Sequence, residues 1–108
     1  MEIRRDTMLV RPRGELDLGV ADMFRETLER GLERYAVRHM VLNLSGITFI
    51  DSSGLGVILG RYKRLAGSGG RISLVGARPH VRRILELSGL LRIMSEYPTE
   101  EEAIARAG

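Results

Sequence analysis

The chain has 108 residues, 44% of them hydrophobic and 29% charged, with no cysteine, no tryptophan and a formal net charge of +3. That length supports one domain with a single core, and the composition excludes wholesale disorder and collagen-like structure. Without cysteine there is no disulfide framework, thiol nucleophile or thiolate metal site, and no run reaches the roughly 18 apolar residues of a membrane span. The opening Met1-Glu2-Ile3-Arg4-Arg5-Asp6 lacks the apolar centre of a signal peptide, so a soluble cytoplasmic domain is expected.

The elements follow in chain order. A short strand near Glu2–Arg5 turns tightly at Asp6 into a second strand from Met8 to Leu16, where Pro12 implies an edge position or a bulge. Val20, Phe24, Leu28, Leu32 and Tyr35 then recur on one face of a helix. His39 to Leu44 is a nearly continuous apolar run, the pattern of a strand covered on both faces. Ile47 to Ile50 lead to Asp51-Ser52-Ser53-Gly54, and Leu55, Ile58, Leu59, Tyr62 and Leu65 form a second helical face that stops at Gly67. Arg71–Val75 is a strand, and Pro79 to Gly89 bracket a third helix. Leu91–Met94 reads as a short last strand, and Thr99-x-x-Glu102 opens a terminal helix to Arg106. The order β-β-α-β-α-β-α-β-α predicts an α/β fold: a mostly parallel mixed sheet with an antiparallel first strand, packed against about four helices.

Charge is unevenly spread. Between Arg61 and Arg92 stand Arg61, Lys63, Arg64, Arg71, Arg78, Arg82, Arg83 and Arg92, against the single acid Glu86. Such a segment suits either a charged partner or a solvated surface, and charge alone identifies no ligand.

The informative stretch is Phe49-Ile50-Asp51-Ser52-Ser53-Gly54-Leu55-Gly56. Asp51, Ser52 and Ser53 each offer an oxygen to a helix start that needs one cap. Gly54, Gly56 and Gly60 each disfavour the helix by about 1 kcal/mol relative to alanine, which implies close approach of a strand, a ligand or a partner to the backbone. A dinucleotide site is disfavoured, since Gly54-x-Gly56-x-x-x-Gly60 misses the required spacing. A serine hydrolase is disfavoured as well: G-x-S-x-G is absent, and His39 and His80 have no assigned carboxylate partner. Few aromatic residues are available for a nucleic-acid platform. A regulatory phosphoserine fits the segment better, because phosphorylation at an exposed helix start places a new dianion where a docked partner would have to bury it.

These residues resemble the bacterial anti-sigma factor antagonists of the STAS domain class, most of all the sporulation branch that opposes the anti-sigma factor kinase of sigma F. The resemblance spans nearly the whole chain, and the expected domain is residues 1–108. It is carried by Gly14-Glu15-Leu16-Asp17, Arg38 to Leu44, Phe49 through Lys63 and Leu87-Ser88-Gly89-Leu90. Leu18-Gly19-Val20 departs from the usual polar start of the first helix. The resemblance implies that Ser52 is the phosphorylated residue and that Asp17, Asp51, Ser53, Gly54 and Leu55 belong to the partner-binding surface. It implies as partners an anti-sigma factor serine kinase, which supplies ATP, and a metal-dependent serine phosphatase, with no direct nucleic acid and no membrane. It implies no catalytic residue, cofactor or metal in the chain itself. The competing expectation is a STAS scaffold or ligand-sensing module that binds a nucleotide or a lipid.

Overall fold

The apolar runs become the strands of one main sheet in the computed structural model, which describes residues 1–107; Gly108, the end of the expected domain, lies outside the described residues. The elements are β1 (Glu2–Arg4), β2 (Thr7–Val10), β3 (Gly14–Leu16), α1 (Leu18–Arg34), β4 (His39–Asn43), β5 (Ile47–Ile50), α2 (Ser52–Ala66), β6 (Arg71–Val75), α3 (Pro79–Leu87), a 3-10 turn (Leu90–Arg92), β7 (Ser95–Tyr97) and α4 (Glu100–Ala107). The main sheet runs β1-β2-β4-β6-β7. Its β1–β2 hairpin is antiparallel and every other pair is parallel, as the element order predicts.

Side chains alternate across a strand, so the sheet builds two cores at once. Met8, Val10, Met40, Leu42, Ile72 and Leu74 point to the face covered by Phe24 and Leu28 of α1 and Val57 and Ile58 of α2. Leu9, Val41 and Val75 point to the other face, where Ala103 and Ile104 of α4 cover them. Burial on both faces is why β4 and β6 carry apolar residues at consecutive positions rather than in alternation.

Two segments depart from the sequence-based expectation. The strand expected from Met8 to Leu16 is two strands, interrupted at Arg11-Pro12-Arg13. Pro12 has no N–H for a ladder, and the chain leaves the main sheet there, so that β3 pairs in parallel with β5 in a separate two-stranded sheet. The last strand lies at Ser95–Tyr97 rather than Leu91–Met94, and Leu90–Arg92, which overlaps the expected segment, forms a 3-10 turn. Leu90 and Met94 are buried four residues apart, joined by a backbone hydrogen bond from Met94 N to Leu90 O of 3.0 Å. A short apolar run with helical spacing plugs the core as a turn; its length alone cannot separate that from a strand.

The small sheet positions the site. Leu16 pairs with Ile50, and Asp51 N donates to Leu16 O at 3.2 Å, so both strands stop at the same level. Each is followed by an aspartate and then directly by a helix: Asp17 before α1 and Asp51 before α2.

Candidate functional site

Two helix N-termini therefore begin side by side, each with N–H groups that its own first turn cannot satisfy. Asp51 serves both. Its Oδ1 accepts from Ser53 N at 2.8 Å and Gly54 N at 3.1 Å, capping α2. Its Oδ2 accepts from Leu18 N at 3.2 Å, the first residue of α1. Asp17 has the extended backbone of an N-cap, but its side chain makes no cap hydrogen bond, and α1 relies on Asp51 from across the junction. Of the three candidate caps in the sequence, Asp51 takes the role and both serines are left out of it.

The remaining residues sort by depth. Ser52 is the first residue of α2 and is exposed; Ser53, Asp17 and Asp51 are half-buried. Gly54 is buried under β3: a Cβ there would lie 2.3 Å from the Leu16 carbonyl oxygen and 2.9 Å from its Cβ. Its glycine is therefore required by the packing of α2 against β3, and any part it takes in docking runs through the turn it permits rather than through contact. Leu55 is half-buried and packs against the main core. Gly56 and Gly60 differ from Gly54, since a Cβ at either meets nothing within 4 Å. Close approach within the chain thus explains one of the three glycines.

Beside Ser52 a cleft of about 300 Å³ separates the first turns of α1 and α2. Leu18, Asp22 and Arg25 form its α1 side, and Ser52, Gly56 and Arg61 its α2 side. Leu18 is 77% exposed on this rim, which leaves a large apolar side chain free at the point where the two helices start. At the far end Arg61 Nε lies 2.7 Å from Glu29 Oε1, close enough for charge pairing but off the line of a hydrogen bond, and Arg64 pairs with the same carboxylate. Sequence reading missed this cleft, because its lining residues stand on two separate helices and periodicity assigns no contact between them. Leu18 left a weak signal as an apolar residue where a polar helix start is usual.

The basic segment is largely occupied within the molecule. Arg61 and Arg64 bind Glu29, Arg82 makes two hydrogen bonds of 2.8 Å to Glu96, and Arg78 Nε donates to Ser45 O at 3.0 Å. The two histidines serve the scaffold too: His39 is buried at the start of β4, and His80 Nε2 lies 2.6 Å from Thr48 O, tying α3 to β5. Neither forms a nucleophile–base pair with Ser52. Among the described residues no group of His, Asp and Glu side chains is arranged to hold a metal ion, and no helix is long and apolar enough to cross a membrane.

The STAS domain model matches residues 1–103. The chain belongs to the STAS domain family. Within it, the chain is 43% identical over 104 residues to an anti-sigma F factor antagonist of Paenibacillus polymyxa, covering 96% of this chain and 89% of that one. It also superposes on the anti-sigma factor antagonist SpoIIAA in its unphosphorylated form, with a TM-score of 0.85, 36% identity and coverage of 98% of this chain and 91% of that one. The Bacillus cell fate determinant SpoIIAA in its phosphorylated form matches with a TM-score of 0.77, 34% identity and coverage of 100% of this chain and 96% of that one. The resemblance expected from Asp51-Ser52-Ser53-Gly54 and its flanking segments thus extends over the whole fold.

Proposed function

We propose that this STAS domain is an anti-sigma factor antagonist switched by phosphorylation of Ser52. The unphosphorylated form docks an anti-sigma factor serine kinase through the junction of α1 and α2, and the sigma factor is released. The kinase supplies ATP. Ser52 Oγ attacks the γ-phosphorus, the new Oγ–P bond forms as the bond to the ADP oxygen breaks, and the hydroxyl proton leaves to a base on the kinase. The chain contributes a nucleophile and a docking face and no catalytic residue. A metal-dependent serine phosphatase returns Ser52 to its hydroxyl form, and the cycle runs in the cytoplasm.

One observation carries the reading. Ser52 stands exposed at a helix start whose capping is complete without it, because Asp51 already accepts from Ser53 N and Gly54 N. A serine that neither caps nor packs there is free for chemistry supplied by a partner. Asp17, Ser53 and the outer edge of Leu55 surround it as contacts for the kinase, while Asp51 and Gly54 hold the geometry. Support also comes from SpoIIAA, which is described in an unphosphorylated and a phosphorylated form.

The switch has adequate size. A dianion buried against a docked partner beside the Asp51 carboxylate costs about 2–5 kcal/mol, or roughly a 30-fold to several-thousand-fold loss of affinity. Ser52→Asp should lower affinity for the kinase by about 30-fold or more while moving stability by less than about 1 kcal/mol, as at an exposed site. Ser52→Ala should bind continuously and take up no phosphate from ATP. Calorimetric titration with the cognate kinase, followed by mapping of the modified peptide, checks both. Equal affinity of the wild type and Ser52→Asp would overturn the switch, and label on Ser53 would move its position.

A further inference from the structure

Phosphorylation of Ser52 raises a charge problem that the helix itself does not solve. The amides best placed to receive an anion at the start of α2, Ser53 N and Gly54 N, are already committed to Asp51 Oδ1 at 2.8 and 3.1 Å, and Leu55 N is bonded to Asp51 O at 3.0 Å. The Asp51 carboxylate stands one residue away and repels a second anion. A cation in the cleft can compensate the new charge, and two guanidinium groups line the cleft with Ser52: Arg25 across it on α1 and Arg61 on α2 itself.

Their present partners separate them. Arg61 is 14% exposed and pairs with Glu29, a carboxylate it shares with Arg64, so it is fixed in the wall. Arg25 is 46% exposed and, among the described residues, is held by Asp22 alone, one turn earlier on the same helix and 84% exposed. Such an exposed pair is weak, because solvent screens it, whereas a phosphoserine carries roughly −1.5 to −2 charges and three strong acceptor oxygens. Guanidinium also binds phosphate in a two-pronged geometry that a carboxylate partner leaves free to exchange.

We propose that Arg25 is the phosphate-holding residue of the switch: on phosphorylation it leaves Asp22 and crosses the cleft to pair with the phosphoryl group on Ser52. The inference rests on Ser52 being the modified residue and adds how the modified state is kept. Arg25 then lies over the opening of the cleft between Leu18 and Gly56, and Asp22 is released as an unpaired carboxylate on its rim. Phosphorylation changes both the shape and the charge of the docking face while the backbone stays in place.

The test installs phosphoserine at position 52 of the full chain by genetic encoding, so that it needs no kinase. Phosphorus NMR then follows the second ionisation of the phosphate in the wild type, Arg25→Gln, Arg25→Lys and Asp22→Asn. The charged groups around it are Asp22 and Arg25 from α1, Asp51 and Arg61 from α2, and Asp17 from the junction, and only Arg25 and Asp22 are altered. In the wild type the second proton should leave about three- to tenfold more readily than in Arg25→Gln, because an opposite charge favours the dianion. Arg25→Lys should recover part of the effect and Asp22→Asn should strengthen it by freeing Arg25. Identical titrations of the wild type and Arg25→Gln would overturn the proposal. Failure of the unmodified protein to bind its kinase would instead refute the functional reading, and the two outcomes are separable because the NMR measurement uses no partner.

Discussion

Asp51 concentrates more structure than its neighbours because, among the described residues, it is the only carboxylate that reaches both helix starts. Its three accepted hydrogen bonds satisfy donors of α2 and of α1 at once, whereas Asp17 makes none from its side chain. Removing a cap costs about 0.5–2 kcal/mol, and Asp51→Ala removes one from each helix. Urea denaturation should therefore show a loss of about 2–3 kcal/mol for Asp51→Ala and under about 0.5 kcal/mol for Asp17→Ala. Asp51→Asn should fall between them, since its amide oxygen can still accept from Ser53 and Gly54 while its NH2 group cannot accept from Leu18. A loss for Asp17→Ala equal to that for Asp51→Ala would mean that α1 is capped from its own sequence after all.

Among the elements, α2 shows how one residue type serves opposite purposes within three positions. Gly54→Ala drives a methyl group into the Leu16 carbonyl, 2.3 Å away, on a strand that cannot retreat without breaking its pairing with β5. A cost of about 1–3 kcal/mol is expected, as for other overpacked sites. Gly56→Ala places its methyl in open space, so it should stabilise the protein by about 1 kcal/mol through helix propensity. Thermal unfolding should move in opposite directions for the two variants. The helix also shows where sequence reading stops: glycine spacing indicates that something comes close to α2, yet only the position of β3 distinguishes the buried glycine from the open ones.

For the whole molecule, stability should depend on pH through two groups distant from Ser52. Hydrogen bonds from Arg11 and Asn43 hold the Glu100 carboxyl down to about 2, from an ordinary 4.5, and so link β4 and the segment just after β2 to the start of α4. A depressed carboxylate stabilises the fold above its unfolded value, and that stability is lost as pH falls from about 4.5 toward 2. Burial lowers the His39 imidazole below its ordinary 6.5, with Arg71 and Arg38 acting in the same direction and Asp6 against them. The folded state then holds fewer protons than the unfolded chain, so stability falls as pH drops below about 6.5. Denaturation curves between pH 8 and 2 should show both declines. Glu100→Gln should cost about 1–2 kcal/mol at neutral pH and flatten the acidic decline, and His39→Gln should flatten the earlier one. An unchanged acidic slope in Glu100→Gln would remove that carboxylate from the explanation.

Local pattern in the chain is enough for the α/β class, the mixed sheet and the placement of Ser52 at a strand-to-helix turn, but it yields five strands where the described residues form seven. Those features are local: alternation, helical spacing, Pro12 and the polar run after Ile50 act over a few residues, and the chain carries them wherever it folds. It also carried the family resemblance, because Asp51-Ser52-Ser53-Gly54 is contiguous. The tertiary structure decided what depends on residues far apart in the chain. Pro12 announces an interruption but cannot say that β3 will leave the main sheet and pair with β5. That pairing sets Leu16 against Ile50, brings two helix starts together and lets one carboxylate cap both. The cleft that unites Arg25, Ser52 and Arg61 is a consequence of the same pairing, and side chains on separate helices acquire a common chemistry only when the fold closes the distance between them.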